Sequence, residues 1–147
     1  MRGEYFAILR TGLGVSDDRQ RHELNRQLIG VESVRGLDEW QWTLLLLRVA
    51  QVAPTDRPLG VRLTVPDRRG DSDWDRATPE QCAYLIQLCH EVTWESGAEP
   101  FIRQRVLNEL RRRNWDGWFD SLWKAEATQA ICVIQKYAKQ QRKGEAA

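Results

Sequence analysis

The residues with the greatest capacity for chemistry lie between Phe101 and Lys124. Arg103, Arg105, Arg111, Arg112 and Arg113 crowd one stretch and are opposed within it only by Glu109. Trp115, Trp118 and Trp123 follow in a Trp-rich turn, and Lys124 adds a further cation. Guanidinium groups bind phosphates and indoles stack on unpaired bases, so these residue types in this order point to DNA contact, with single strands the form that the indoles suit. Two features weigh against it. Asp116 and Asp120 lie inside the same turn, where they would repel phosphate. A tryptophan at a helix junction is also commonly a core anchor, and a basic helix face is often only solvated.

Other chemistry is poorly provided for. His22 and His90 occur in ordinary helical contexts without a recognisable carboxylate or thiol partner, which predicts structural or surface roles. Gly12-Leu13-Gly14 lacks the further glycine or Lys-Ser/Thr of a phosphate loop and the strand that precedes one. Cys82 and Cys89 fall on one face of a predicted helix but about 10 Å apart along its axis, too far for a disulfide. With Cys132 they are expected to be reduced thiols of a cytoplasmic protein, and their spacing with His90 is not that of a zinc site. No metal, cofactor or catalytic residue is expected, and so no enzyme.

These residues need a scaffold, and the composition supplies one. At 147 residues, 41% hydrophobic and 29% charged, the chain can bury a core without metal or disulfide staples. Its net charge of +1 creates no global field, so any attraction for DNA must come from uneven distribution. The unevenness recurs near the C-terminus, where Lys136, Lys139, Arg142 and Lys143 face only Glu145, although cations there also suit the helix dipole. No apolar run approaches membrane-spanning length, so no membrane association is expected.

The periodicity predicts an all-α protein of five or six short helices in two modules, residues 1–53 and 78–147, joined by an extended linker over 54–77. A short helix is expected over Glu4–Thr11, ended by Gly12 and Gly14. A second, over about 17–29, is capped by Ser16 with Asp17 and Asp18 in its first turn and stopped by Gly30. Asp38 can cap a third through EWQWTLLLLRVAQV, apolar almost all round and therefore central. Thr78, Pro79 and Gln81 form the start of a fourth, reaching about Trp94. A fifth, over about 101–113, carries the arginines. Asp120 or Ser121 can cap the last, which runs to about Gln141. The linker holds Pro54, Pro58 and Pro66, and Val61, Leu63 and Val65 alternate with polar residues; a solvated tether or an extended arm with nothing to pair with are the two expectations. Trp40, Trp42, Trp118 and Trp123 form a second candidate surface, one that would press on a host protein, because aromatic residues are the usual interface anchors.

Residues 21–52 and 105–137 share a plan: a helix containing Leu-Asn, an irregular turn, one Leu (Leu37 or Leu122) and a second helix. Leu13-Gly14, Asp17-Asp18, Arg21, Leu24, Gly30, Ser33, Leu37 and Glu39 in the first half, with Thr78, Gln81, Ile86, Leu88, Trp94, Phe101, Leu122, Ala127 and Ile131 in the second, follow the progression of the GemA family of Mu-like phages. Trp123 stands where that pattern would place a Thr or Ser cap. The resemblance implies a phage or prophage accessory factor acting on host transcription, DNA topology or DNA metabolism, with no known active site. The expectation is therefore a non-catalytic regulator that contacts DNA, with an adaptor or inhibitor of a host enzyme as the alternative.

Overall fold

The protein is described by a computed structural model over residues 1–55, 59–66, 75–92 and 115–146, with side chains described up to Lys143 except for Arg142. It is all-α. Five α-helices occur among these residues: α1 Arg2–Ala7, α2 Asp18–Ile29, α3 Glu39–Val52, α4 Pro79–Glu91 and α5 Lys124–Ala146. The expected helix over 101–113, with its five arginines, lies outside the described residues, as does Trp94.

Local chemistry explains where the helices start. Thr78 Oγ1 accepts from the Gln81 amide at 3.1 Å while Gln81 Oε1 accepts from the Thr78 amide at 3.0 Å, the reciprocal capping box read from the sequence. Asp38 and Gln41 form another, at 2.7 and 3.1 Å. For α2 the cap is Asp17 rather than Ser16, its carboxylate accepting from the Arg19 amide at 2.7 Å. Gly30 ends that helix at φ 77°, a left-handed conformation that any other residue would adopt only under strain. The last helix starts later than expected. Phe119–Ser121 is a 3-10 turn and Trp123 occupies the cap position, where its side chain has no acceptor to offer. The buried Glu126 supplies the one half of a capping box that is left, accepting from the Trp123 amide at 2.8 Å. Thr78→Ala, which removes one acceptor from α4, is expected to lower stability by about 1 kcal/mol. A shift in the denaturant midpoint indistinguishable from zero would show that Pro79 and Gln81 start the helix unaided.

The first helix departs from its expected form. After α1 the chain widens into a π-turn over Ile8–Gly12, with Leu13 N–H donating to Ile8 O at 3.1 Å, and Ile8 and Leu9 are both buried. Tyr5 is fully buried, and its hydroxyl donates to Asn25 Oδ1 at 2.5 Å; Asn25 in turn donates to Glu32 O at 3.1 Å. A buried tyrosine and asparagine thus satisfy one another and tie α1, α2 and the loop after it.

Helix α3 is central, in contact with α1, α2, α4 and the 3-10 turn. Leu45, Leu46, Val49 and Ala50 on it are fully buried. A single hydrophobic cluster takes in Tyr5 and Leu28 from the first half together with Leu85, Phe119, Leu122 and Ile134 from the second. Part of the expected linker belongs to it as well. Leu59 and Leu63 are buried in that cluster and Val61 and Val65 pack against it, so residues 59–66 are neither a solvated tether nor a strand. The alternation picked out from Val61 to Val65 is real, but the register buries Leu63 while Arg62 and Thr64 face solvent.

Helices α4 and α5 run side by side. The segments leading into them pair through an isolated bridge between Arg76 and Trp123, with Ala77 N–H donating to Leu122 O at 2.9 Å and Lys124 N–H to Asp75 O at 2.7 Å. Contacts then advance together along both helices, from Gln81 with Thr128 to Tyr84 with Gln135. Their direction is therefore the same.

Candidate nucleic-acid interface

The Trp-rich turn is built into the protein. Trp115 is 4% exposed, and its indole N–H donates to Trp118 O at 3.0 Å and Ser121 Oγ at 3.2 Å. Asp116, predicted to repel phosphate, folds the turn, accepting from the Trp118 amide at 2.9 Å and the Ser121 hydroxyl at 2.6 Å. Gln51 of α3 clamps the far side, donating to Gly117 O at 2.6 Å and accepting from the Phe119 amide at 3.0 Å. Trp115 also stacks on Phe119, with ring centroids 6.4 Å apart. An indole held on its edge and on its face in this way has no surface left for a base.

Arg48 was not a candidate residue, yet it organises this junction. Its guanidinium grips both oxygens of Asp120 at 3.0 and 3.1 Å, donates to the Leu28 carbonyl, and lies over the Trp118 ring at 4.9 Å. Leu28 is in the last turn of α2, where carbonyls lack helical partners, so one side chain satisfies a helix end, a carboxylate and an indole face together. Trp118 is accordingly only half-exposed and already carries a cation. Asp120, expected as a helix cap, is instead the acceptor in this pair.

The other tryptophans among the described residues divide in two. Trp42 packs edge-on against Tyr5 at 5.5 Å with Arg2 at 5.8 Å from its ring. Trp40 and Trp123 remain 40% and 47% exposed, Trp123 with Arg76 at 5.7 Å from its ring. Lys124 begins α5, half-exposed. The basic residues read from the sequence therefore fall into two sets, with Lys124 and the α5 lysines described and Arg103, Arg105, Arg111, Arg112 and Arg113 outside the described residues.

The described basic surface is the outer face of α5. Ala125, Thr128, Cys132, Lys136, Lys139 and Lys143 are all exposed, and their spacings of three, four, four, three and four residues place them on one ridge. Ala127, Ala130, Ile134 and Ala138 are buried on the opposite face. Between residues 127 and 143 the helix has no acidic residue. The ridge is small-sided over its first half and cationic over its second. Its spacing was visible in the sequence, but the cations alone could be assigned to the helix dipole, and only burial of the opposite face shows which side they occupy.

The thiols and the buried histidine have structural surroundings. Burial pushes the Cys82 and Cys89 thiols far up from their ordinary range, with the negative charge of Asp120 adding to the effect at Cys82. They are held as neutral, unreactive small side chains. His90 Nε2 lies 3.2 Å from the Ala50 carbonyl of α3. Among the described residues no group of His, Cys, Asp and Glu could hold a metal ion, and no helix is long and apolar enough to cross a membrane. Comparison of the chain with protein-family models, with curated proteins and with solved structures gave no match.

Proposed function

We propose that the protein is a non-catalytic accessory regulator, of the phage or prophage type implied by the GemA resemblance, that contacts DNA through a basic helical surface in the cytoplasm. The observation that carries this reading is the separation of charge: a chain of net charge +1 presents Lys136, Lys139 and Lys143 along one exposed helix face without an interleaved carboxylate. Arg103, Arg105 and Arg111–Arg113 supply a second basic stretch in the sequence. Each phosphate neutralised releases a condensed counterion, so affinity for DNA is expected to fall steeply as salt rises. Titration of labelled DNA by fluorescence anisotropy at several salt concentrations tests this, with the Arg111→Gln/Arg112→Gln/Arg113→Gln variant as the companion. Binding that is flat with salt, or unaltered in that variant and also after removal of the α5 lysines, would remove the reading.

The alternative, an adaptor or inhibitor of a host enzyme of transcription or DNA topology, is favoured by one observation. Trp40 and Trp123 are 40% and 47% exposed, Trp123 with Arg76 beside its ring, whereas Trp42 and Trp118 are set deeper in the fold. Exposed indoles are strong anchors for protein partners. An adaptor would hold a host enzyme at high salt and release it on Trp40→Ala or Trp123→Ala, a pattern opposite to that of DNA contact.

A further inference from the structure

We infer that the outer ridge of α5 docks on the phosphate backbone of double-stranded nucleic acid, with Cys132 inside the contact. The inference rests on the DNA-contact reading and deepens it, because it fixes which surface is used and which form of the polymer fits.

Three properties of the ridge select a duplex. The first is its register. Lys136 to Lys143 spans about 10.5 Å of helix axis, a length over which one strand of a duplex presents about four phosphates, roughly one per 3.4 Å of its axis, so each of the three lysines has a phosphate within reach. The helix fixes the spacing of the lysine backbones and the duplex fixes that of its phosphates, so only the lysine side chains have to be ordered on contact. The second is relief. Ala125 and Cys132 carry short, exposed side chains, with Thr128, whose hydroxyl accepts from Gln81 of α4, exposed between them, so the helix surface beside α4 can approach a groove wall closely while the lysines, further along, reach its edge.

The third is that the described residues place no aromatic side chain on this ridge. Proteins that hold single strands combine cations with aromatic side chains on which bases stack. Trp115 and Trp118 are committed to the turn and to Arg48. Trp123 precedes α5 on the side that pairs with Arg76, and Tyr137 projects about a third of a turn from the ridge. The lysine row is thus suited to backbone contact without base reading, and hence to contact independent of sequence.

Cys132 gives a local readout, because Cys82 and Cys89 are buried and Cys132 is exposed. Alkylation of the full-length protein by N-ethylmaleimide, followed by mass spectrometry, is expected to modify Cys132 rapidly in the free protein and several-fold more slowly when a mixed-sequence duplex is bound. Three phosphate contacts imply a loss of affinity of roughly 40-fold between about 50 and 200 mM salt from this ridge alone. Lys136→Gln/Lys139→Gln/Lys143→Gln should abolish that share, lowering the salt slope by about three. The same titration is run with each single strand and with vesicles containing phosphatidylserine. Single strands that bind as tightly as the duplex would overturn the inference and leave DNA contact standing. So would duplex binding that does not protect Cys132, which would move the contact to another surface. Protection by the vesicles but not by the duplex overturns it in favour of an anionic lipid surface. No binding to either form of DNA removes both readings.

Discussion

Replacing Arg48 with methionine is expected to cost about 3–5 kcal/mol, a large share of the roughly 5–15 kcal/mol that holds a domain of this size folded. The pair with Asp120 is mostly out of water, the two side chains being 19% and 12% exposed, so the screening that makes surface ion pairs weak does not apply. Methionine preserves much of the aliphatic stem and removes the charge. Asp120 is then left as a carboxylate without its partner in a poorly solvated site, the Leu28 carbonyl loses its side-chain donor, and Trp118 loses the cation over its ring. Arg48→Lys keeps the charge but not the planar fork that reaches both carboxylate oxygens and the carbonyl, and should fall between. The discriminating variant is Arg48→Met/Asp120→Leu. If most of the loss is the penalty of an orphaned charge, removing both partners recovers a large part of it. Denaturant unfolding measures all four proteins. A loss below about 1 kcal/mol for Arg48→Met would place this pair with the exposed ones and remove its role as the joint between α2, α3 and the turn.

That joint also marks the boundary of what could be read from the chain. Features set by neighbours in sequence were legible: the cap at Asp38, the capping box at Thr78, the stop at Gly30, the apolar length of α3 and its central place. Each is decided within one or two helical turns. Asp17 displaced Ser16 as a cap because two adjacent acceptors compete for one amide, and sequence does not say which backbone geometry wins. The functions of Trp115, Trp118 and Asp120 depend instead on Arg48 and Gln51, which lie more than 60 positions away in the chain. An indole beside a cation has the same composition whether it stacks on a base or on its own arginine. Likewise the prolines of residues 54–77 suggest a tether, while burial of Leu59 and Leu63 depends on where the rest of the core leaves an apolar surface. The candidate interface was half legible: the lysines of α5 and their spacing were in view, but the face they share was not.

Leu122→Ala is expected to produce the second large effect, about 2–5 kcal/mol, because it empties a fully buried site that the surroundings can refill only in part. Leu122 closes the 3-10 turn, its amide donating to Phe119 O at 3.1 Å, and its carbonyl accepts from Ala77, so the side chain enters the core where the backbone is held on both sides. Such a site cannot collapse easily. Leu37 holds the corresponding place before α3 in the first half, but it is only half-buried, and Leu37→Ala should cost less than about 1.5 kcal/mol since only part of its side chain leaves water on folding. The leucine that precedes a helix therefore carries a different energetic weight before α3 and before α5. Leu122→Met, which nearly conserves volume, should lose less than about 1.5 kcal/mol and so separate cavity formation from damage to the turn. Unfolding midpoints of the three variants decide between them: equal losses for Leu37→Ala and Leu122→Ala would mean that both leucines anchor their helices alike, and that burial in the folded chain does not set the difference.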